Sequence, residues 1–150
     1  MKRDPNRETG PASPDFSLPK SGILRGKRNF ERLFERATVL KSPSLHFRYR
    51  VYKEPQEGCR IGFIASKRLG NAVTRNRVKR LLRESYRTHQ AHLAGLFATR
   101  QFGFHGVLIA KSPDLTLQRV NEELIPLLER TRQHLSRISE GETPHATNKS

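Results

Sequence analysis

The sequence predicts an α+β fold, a two-layer α/β sandwich in which three helices pack on a central mixed sheet of about four strands. Apolar residues recur at helical spacing in three segments, and alternating or continuous apolar runs typical of strands lie between them. The chain has 150 residues and shows no internal repeat, and no linker divides its central part. This length fits one domain with a modest core.

Both ends are predicted to lie outside this domain. Residues 139–150, "SEGETPHATNKS", have the composition of a disordered tail, and residues 1–20 that of a flexible arm. The arm has no apolar stretch of the kind that a signal peptide needs. The predicted domain is therefore 21–138. Four prolines interrupt the arm: Pro5, Pro11, Pro14 and Pro19.

The first predicted elements are a helix and an extended region. Within "RNFERLFER", Phe30, Leu33 and Phe34 are spaced i, i+3, i+4 and form one apolar face. From Thr38 the chain is extended, and "SLHFRYRVYK" alternates as a strand with one buried face does. The buried face is predicted to hold Leu45, Phe47, Tyr49 and Val51, and the other face His46, Arg48, Arg50 and Tyr52.

The second half adds two strands and two helices. "CRIGFIAS" predicts a strand, and Gly70 ends it before a basic helix. "HGVLIAK" (His105–Lys111) is apolar enough for a strand buried on both sides. Asp114 is the predicted N-cap of the last helix. That helix has an apolar stripe of Leu117, Val120, Leu124, Leu127, Leu128 and Leu135.

The charge of the chain indicates a polyanionic partner. It has 29 Lys and Arg against 14 Asp and Glu, a net charge of +15 and a pI near 11.0. Nucleic acid is the first candidate and an anionic membrane surface the second. No apolar run approaches the roughly 20 residues of a spanning helix. The single cysteine, Cys59, excludes an internal disulfide, fits a cytoplasmic protein and is interpreted as a small strand residue.

The positive charge is concentrated in the basic helix "NAVTRNRVKRLLRESYR" (Asn71–Arg87). Eight of the 21 residues from Lys67 to Arg87 are Lys or Arg, and Glu84 is the one acid within the helix. Val78, Leu81, Leu82, Ser85 and Tyr86 gather on one side, opposite Lys79, Arg80, Arg83 and Arg87. Like charges at i, i+4 cost a few tenths of a kcal/mol per pair. We therefore interpret the cationic side as a polyanion-binding ridge rather than an ordinary solvated face.

Two further features refine this hypothesis. Arginine outnumbers lysine, and its planar guanidinium suits bidentate phosphate contacts and stacking on bases. Asn71 and Asn76 fit either local capping or contact with a base edge. Charge alone does not separate RNA from DNA.

The segment "GFIASKRLGNAVTRNRVKRLLRESYR" (Gly62–Arg87) resembles the signature of the bacterial ribonuclease P protein subunit. The shared motifs are Ser66-Lys67-Arg68, Gly70-Asn71-Ala72-Val73, Arg75-Asn76-Arg77, Lys79-Arg80 and Arg83-Glu84. A looser likeness extends to "LRGKRNFERLF" and "GVLIAKSP", so the resemblance covers most of residues 24–136.

The resemblance implies a function and one detail of the fold. Ribonuclease P removes the 5′ leader of precursor tRNA. Its RNA subunit carries out the hydrolysis with Mg²⁺, and the protein binds that RNA and the leader. We therefore expect no catalytic residue and no firmly bound metal in this chain. The family also has a left-handed β–α–β crossover through the basic helix, against the usual right-handed rule.

The resemblance also implies two sets of site residues. A cleft between the first helix and the sheet takes the leader, and its residues are Phe30, Phe34, His46, Arg48 and Arg50. In a gapless alignment from Phe34, Arg48 stands where the family often has an aromatic residue, which favours electrostatic leader contacts. Ordinary core packing is the alternative for both phenylalanines. The set for the RNA subunit is Lys67, Arg68, Asn71, Arg75, Asn76, Arg77, Lys79, Arg80, Arg83 and Arg87.

Independent catalysis is not predicted from the sequence. Glu122-Glu123 is interpreted as part of a solvated face, and His89 with His92 lacks the third ligand that a zinc site needs. Two other classes stay open: a structural RNA-binding protein without a processing role, and a DNA-binding architectural protein. The first would not distinguish precursor from mature tRNA, and the second would prefer duplex DNA.

Overall fold

The structure, a computed structural model, describes residues 22–93 and 102–139. The predicted arm 1–20 and nearly all of the predicted tail 139–150 lie outside the described residues. In chain order the helices and strands are α1 Lys27–Glu35, β1 Thr38–Lys41, β2 Leu45–Tyr52, β3 Cys59–Ala65, α2 Ala72–His89, β4 Gly103–Ala110 and α3 Leu117–Ser139.

The four strands form one mixed sheet in the order β1-β2-β4-β3. β2 pairs antiparallel with β1 and with β4, whereas β3 and β4 are parallel neighbours. Because α2 connects these two strands, the predicted β–α–β crossover through the basic helix is present; its left hand stays a prediction. The α+β class and the mixed four-stranded sheet are confirmed.

Helices α2 and α3 cover one face of the sheet. Residues that are register partners point to the same face, so Phe47 on β2 lies beside Leu108 on β4. Both are fully buried, together with Val78 and Leu82 of α2 and Leu124 of α3. This side holds most of the apolar core of the described residues, and it fixes the outward direction of the cationic side of α2.

Helix α1 packs on the opposite face. Its buried Leu33 contacts Leu24 and Val107, and Phe30 and Ile109 pack around them. The short α1 therefore adds a third, partial layer to the predicted two-layer sandwich. Most of the predicted cationic face of β2 lies on this side, next to α1.

Two local predictions were wrong. Helix α3 begins after Thr116, whose hydroxyl accepts a hydrogen bond from the Arg119 N–H at 3.1 Å, so Thr116 is the cap and not Asp114. Leu117 is consequently 38% exposed at the start of the helix. Tyr52 lies on the predicted face of β2 beside Arg50, but it is only 5% exposed, because the guanidinium groups of Arg32 and Arg50 and the ring of His105 pack around it.

Candidate nucleic-acid interface

Helix α2 is amphipathic as predicted. Its inner side holds Val78, Leu82, Ser85 and Tyr86, all buried. Asn71 is its N-cap, and the Asn71 side-chain oxygen accepts a hydrogen bond from the Thr74 N–H at 3.0 Å. The local capping alternative is thereby confirmed for Asn71. Asn76 is exposed one turn further along the helix.

The predicted cations in the middle of α2 differ in whether they have partners within the protein. Lys79, Arg80 and Arg83 are exposed, and none of them belongs to an ion pair among the described residues. Arg77 instead donates to the carbonyls of Pro113 at 2.7 Å and Leu115 at 3.1 Å. Lys79, Arg80 and Arg83, which we call the open ridge, are therefore free of ion-pair partners within residues 22–93 and 102–139 that would compete with a bound anion.

The two ends of α2 carry the remaining predicted cations. Arg87 forms an ion pair with Glu84 at 2.6 Å, and the hydrogen bond from Arg87 lowers the pKa of that carboxyl. Arg75 donates to the Gly70 carbonyl at 3.1 Å. Lys67 and Arg68 are exposed in the 3-10 turn before Gly70, whose φ of 141° favours glycine. This turn places both residues at the N-terminal end of α2.

On the α1 face, side chains of α1 and β2 lie against each other where the family resemblance puts the leader cleft, and we call this region the α1–β2 cleft. Phe34 is 39% exposed, and the Arg48 guanidinium carbon lies 5.4 Å from its ring centroid. Arg50 is half-buried, donates to the Arg32 carbonyl at 2.6 Å and lies 3.8 Å from Glu35. Arg48 therefore lies against an aromatic ring, while Arg50 ties β2 to α1.

His46 lies on the same face of β2, next to Arg48. Burial, together with the neighbouring cations Lys111 and Lys41, lowers the pKa of His46. It is therefore neutral at neutral pH, and it adds a hydrogen-bonding ring rather than a charge to the α1–β2 cleft.

Phe30 does not share the position of Phe34. Their ring centroids are 6.3 Å apart, but Phe30 lies over Gly62 of β3, where an added Cβ would be 2.8 Å from its ring. The predicted leader set is thus divided by the structure. Phe34 of α1 lies against Arg48 of β2, whose face also carries His46 and Arg50, whereas Phe30 lies at the β3 edge.

A pocket of about 480 Å³ lies at this edge, between α1 and α2. Two lining residues are held at the edge of β3: the Leu24 N–H donates to the Ile61 carbonyl at 2.9 Å, and Ile23 forms an isolated parallel bridge with Ile61. The pocket therefore brings together residues of both predicted sets, Phe30 from the leader set and four α2 residues from the RNA-subunit set. Its lining residues are Ile23, Leu24, Arg25, Phe30, Phe63, Asn76, Lys79, Arg80 and Arg83.

Sequence reasoning missed four of these: Ile23, Leu24, Arg25 and Phe63. The two apolar residues precede the first helix without a periodic pattern, and Phe63 reads as an ordinary strand residue. Leu24 and Arg25 lie within "LRGKRNFERLF" and Phe63 lies within Gly62–Arg87, so the family resemblance was the available signal for these three residues.

The candidate metal and acid–base residues have structural partners. Within residues 22–93 and 102–139, no group of three His, Cys, Asp or Glu side chains could hold a metal ion. His89 Nδ1 is 2.9 Å from the Ser85 carbonyl, and His92 Nδ1 is 3.4 Å from Glu129. No helix of the described residues is long and apolar enough to cross a membrane.

The solvated-face interpretation was wrong for Glu123, which is 8% exposed. Its carboxylate accepts hydrogen bonds from the Ser42 hydroxyl at 2.6 Å, the Ser44 N–H at 2.8 Å and Arg119 at 2.6 Å. Burial alone would raise its pKa, but these hydrogen bonds outweigh burial and lower it. Glu123 therefore fastens the β1–β2 turn to α3.

Comparison with protein families and sequences gives one consistent match. The family model described as Ribonuclease P matches residues 18–132. The ribonuclease P protein component of Halalkalibacterium halodurans is 41% identical over 71% of this chain and 85% of its own length. The ribonuclease P protein component of Bacillus velezensis is 30% identical over 76% of this chain and 92% of its own length. A third such protein, from Coprothermobacter proteolyticus, is 40% identical over 51% of this chain and 60% of its own length.

Solved structures agree with the fold. The RNase P protein of Staphylococcus aureus has a TM-score of 0.57 and 22% identity, over 80% of this chain and 96% of that chain. That of Thermotoga maritima has a TM-score of 0.58 and 24% identity, over 72% and 96%. At these identities the likeness shows a common fold.

Proposed function

The chain belongs to the ribonuclease P protein family, and on this premise we propose that it binds the catalytic RNA of ribonuclease P and the 5′ leader of precursor tRNA. It would thereby promote endonucleolytic removal of the leader in the cytoplasm. The observation that supports this most is the open ridge of Lys79, Arg80 and Arg83, three exposed cations on one helix.

The RNA-subunit surface is proposed to centre on the open ridge. Each Lys or Arg that contacts a phosphate releases condensed counterions, which supplies affinity and makes it dependent on salt. Lys67, Arg68 and Arg75 at the start of α2 would extend the same surface. Asn71 and Arg77 would serve mainly by holding the helix start and the loop before α3, because their polar atoms are engaged there.

The leader surface is proposed to lie along the α1–β2 cleft. Phe34 is partly exposed, and the Arg48 guanidinium lies over its ring, so an unpaired strand would find both an aromatic side chain and a cation. His46 and Arg50 flank this position on β2. Phe30 would contribute from the adjoining pocket rather than from the cleft itself.

Hydrolysis is proposed to belong to the RNA subunit, as the family resemblance implies. Mg²⁺ prefers carboxylate and phosphate oxygens, and the side chains of the open ridge are cations, which do not fit as its ligands. We therefore assign the Mg²⁺ of the holoenzyme mainly to the RNA and derive no step through it on the protein.

Reconstitution tests this function. The full chain is added to a bacterial ribonuclease P RNA at low Mg²⁺, and cleavage of precursor tRNA is measured with and without the protein. We expect faster cleavage and a lower KM for precursor tRNA with a leader. Unchanged cleavage would contradict the proposal. Equal binding of precursor and mature tRNA would favour a structural RNA-binding protein, and tighter binding of duplex DNA at equal salt an architectural one.

A further inference from the structure

We propose that the pocket between α1 and α2 binds one unpaired nucleotide of the ribonuclease P RNA, with the base inside and the phosphate on the open ridge. This inference rests on the proposed function and makes one part of it specific. It assigns a nucleotide site to the β3 edge, distinct from the α1–β2 cleft and from a contact of phosphates with α2 alone.

The size and walls of the pocket fit a nucleobase. Its volume of about 480 Å³ falls within the roughly 300–1,000 Å³ of small-molecule sites. Ile23 and Leu24 form an apolar side, and Phe30 and Phe63 supply aromatic rings from α1 and β3. Bases stack on such rings with little dependence on sequence.

The rim of the pocket fits the phosphate of the same nucleotide. Lys79, Arg80 and Arg83 border it from α2, and Arg25 borders it from the segment before α1. The Arg83 guanidinium carbon lies 5.9 Å from the Phe63 ring centroid, so it is positioned above the aromatic wall. The side-chain amide of Asn76, one turn before Arg80, can both donate and accept a hydrogen bond with a base edge.

The backbone at the β3 edge creates this space. Among the described residues, the segment before α1 contacts the β3 backbone through Ile23 and Leu24 and then turns at Gly26, whose φ is 95°. Beyond that point Phe63 faces the gap between the departing segment and α2. Gly62 lets the Phe30 ring approach the sheet closely, because a Cβ there would be 2.8 Å from the ring.

The catalytic RNA is the favoured occupant for reasons of position. Three of the four rim cations and Asn76 are on α2, the helix proposed to bind that RNA. The leader is proposed to follow the α1–β2 cleft, where Phe34 and Arg48 lie. A leader base in the pocket is therefore an outcome that the experiment must be able to detect.

The test fills the pocket without changing any charge. Ile23→Trp is designed to place an indole in the pocket beside Phe30 and Phe63, and Gln133→Trp, at an exposed position of α3, is the matched control. For Ile23→Trp we expect binding of the ribonuclease P RNA to weaken about 10- to 100-fold, the equivalent of one lost stacked base. The dependence of binding on salt should stay as in the unmodified protein, because no phosphate contact is removed. Equal affinity for Ile23→Trp and the control would overturn the inference.

Chemical probing identifies the occupant. Base reactivity is mapped on the RNA subunit and on the leader in complexes of the unmodified protein, Ile23→Trp and Gln133→Trp. We expect one unpaired base of the RNA subunit to be protected by the unmodified protein and the control but reactive with Ile23→Trp. A leader base with this behaviour, or no such base in either RNA, would overturn the assignment.

The proposed function and this inference fail in different ways. If the unmodified chain neither binds the ribonuclease P RNA nor accelerates cleavage, the proposed function fails. If it does both and Ile23→Trp does so equally well, the function stands and the pocket assignment alone is wrong. A thermal melt of Ile23→Trp verifies that the variant is folded, and Ile23→Phe, a smaller filler, replaces it if the melt collapses.

Discussion

The guanidinium carbon of Arg48 lies 5.4 Å from the centroid of the Phe34 ring, so β2 and α1 meet through a cation and an aromatic ring. Such a contact contributes about 0.5–1 kcal/mol at an exposed site. Phe34 still exposes 39% of its surface, which weighs against the ordinary-core alternative for this residue. The pair is thus both a link between two elements and a surface that a base can reach.

Replacing Phe34 by alanine should weaken leader recognition selectively. We expect the holoenzyme with Phe34→Ala to bind precursor tRNA about 1–3 kcal/mol more weakly, the value of one stacked base. Mature tRNA should bind as before, because it has no leader. Measuring both affinities with the reconstituted holoenzyme decides the matter, and a thermal melt controls for folding. Equal losses for both tRNAs would exclude a leader contact.

Arg80 and Arg77 should behave differently although both are arginines of the same helix. Arg80→Ala should reduce the steepness of the salt dependence of RNA binding by something under one unit, with no loss of stability. Arg77→Ala removes two hydrogen bonds to the loop before α3 and should lower the free energy of unfolding by about 0.5–1.5 kcal/mol. Salt titrations and urea unfolding of both variants check this. If the salt dependence of RNA binding is unchanged in Arg80→Ala, Arg80 is an ordinary solvated residue and not a phosphate contact.

These two arginines show how far the sequence can predict the site. The side of α2 that faces the sheet follows from local 3.6-residue periodicity, and Val78, Leu82 and Tyr86 are buried as predicted. The partners of Arg77 are 36 and 38 residues away in the chain, and no local pattern encodes them. Which cations stay open is therefore a property of the tertiary structure.

The same distinction applies to the fold. Strands and helices were predictable because their periodicities are local, whereas the side of the sheet that α1 occupies depends on contacts of Leu33 with Val107. Glu123 was interpreted as solvated because its partners Ser42 and Ser44 are 81 and 79 residues away in the chain, where no local pattern reveals them. The pocket at the β3 edge escaped prediction for the same reason, since it is assembled from three separate segments.

The close approach of Phe30 to Gly62 should make position 62 intolerant of any side chain. A Cβ there would lie 2.8 and 2.9 Å from two ring carbons of Phe30. Gly62→Ala should therefore lower the free energy of unfolding by about 1–3 kcal/mol, the usual cost of overpacking. In a Phe30→Leu background the same change should cost clearly less, because the ring is gone. Urea unfolding of the four proteins measures this coupling, and additive losses would show that the ring is not the obstacle.

Glu123 and its neighbour Glu122 form a matched pair on α3. Glu123→Ala leaves the Ser44 N–H without its acceptor and the Ser42 hydroxyl with the Leu45 carbonyl alone, and it should cost about 1.5–3 kcal/mol of stability. Glu122→Ala removes an exposed carboxylate that accepts a hydrogen bond from Gln118, and it should change the free energy of unfolding by no more than about 0.5 kcal/mol. Thermal or urea unfolding compares them. Similar stabilities for the two variants would contradict a fastening role for Glu123.

His105 should make the stability depend on pH near neutrality. It is fully buried in β4, and burial lowers its pKa; Glu57 opposes this shift, and Arg60 and Arg32 add to it. Its Nε2 is 3.6 Å from a Glu57 oxygen, and neither ring nitrogen has a hydrogen-bond partner among the described residues. The folded protein therefore holds a neutral imidazole, whereas the unfolded chain binds a proton at about pH 6.5.

The sign of the effect follows from this difference in proton binding. Because the unfolded state binds more protons, the contribution of His105 to stability is complete above about pH 6.5 and is lost as pH falls through the lower folded-state pKa. We expect the melting temperature to drop between pH 7.5 and 5.5 and to drop less in His105→Gln. His46 has a pKa lowered in the same direction, so His46→Gln, with His105 intact, separates the two contributions. If His105→Gln keeps the full drop, His105 is not the group that titrates. A melting temperature that rises on acidification would instead mean that protonated His105 pairs with Glu57 in the folded state.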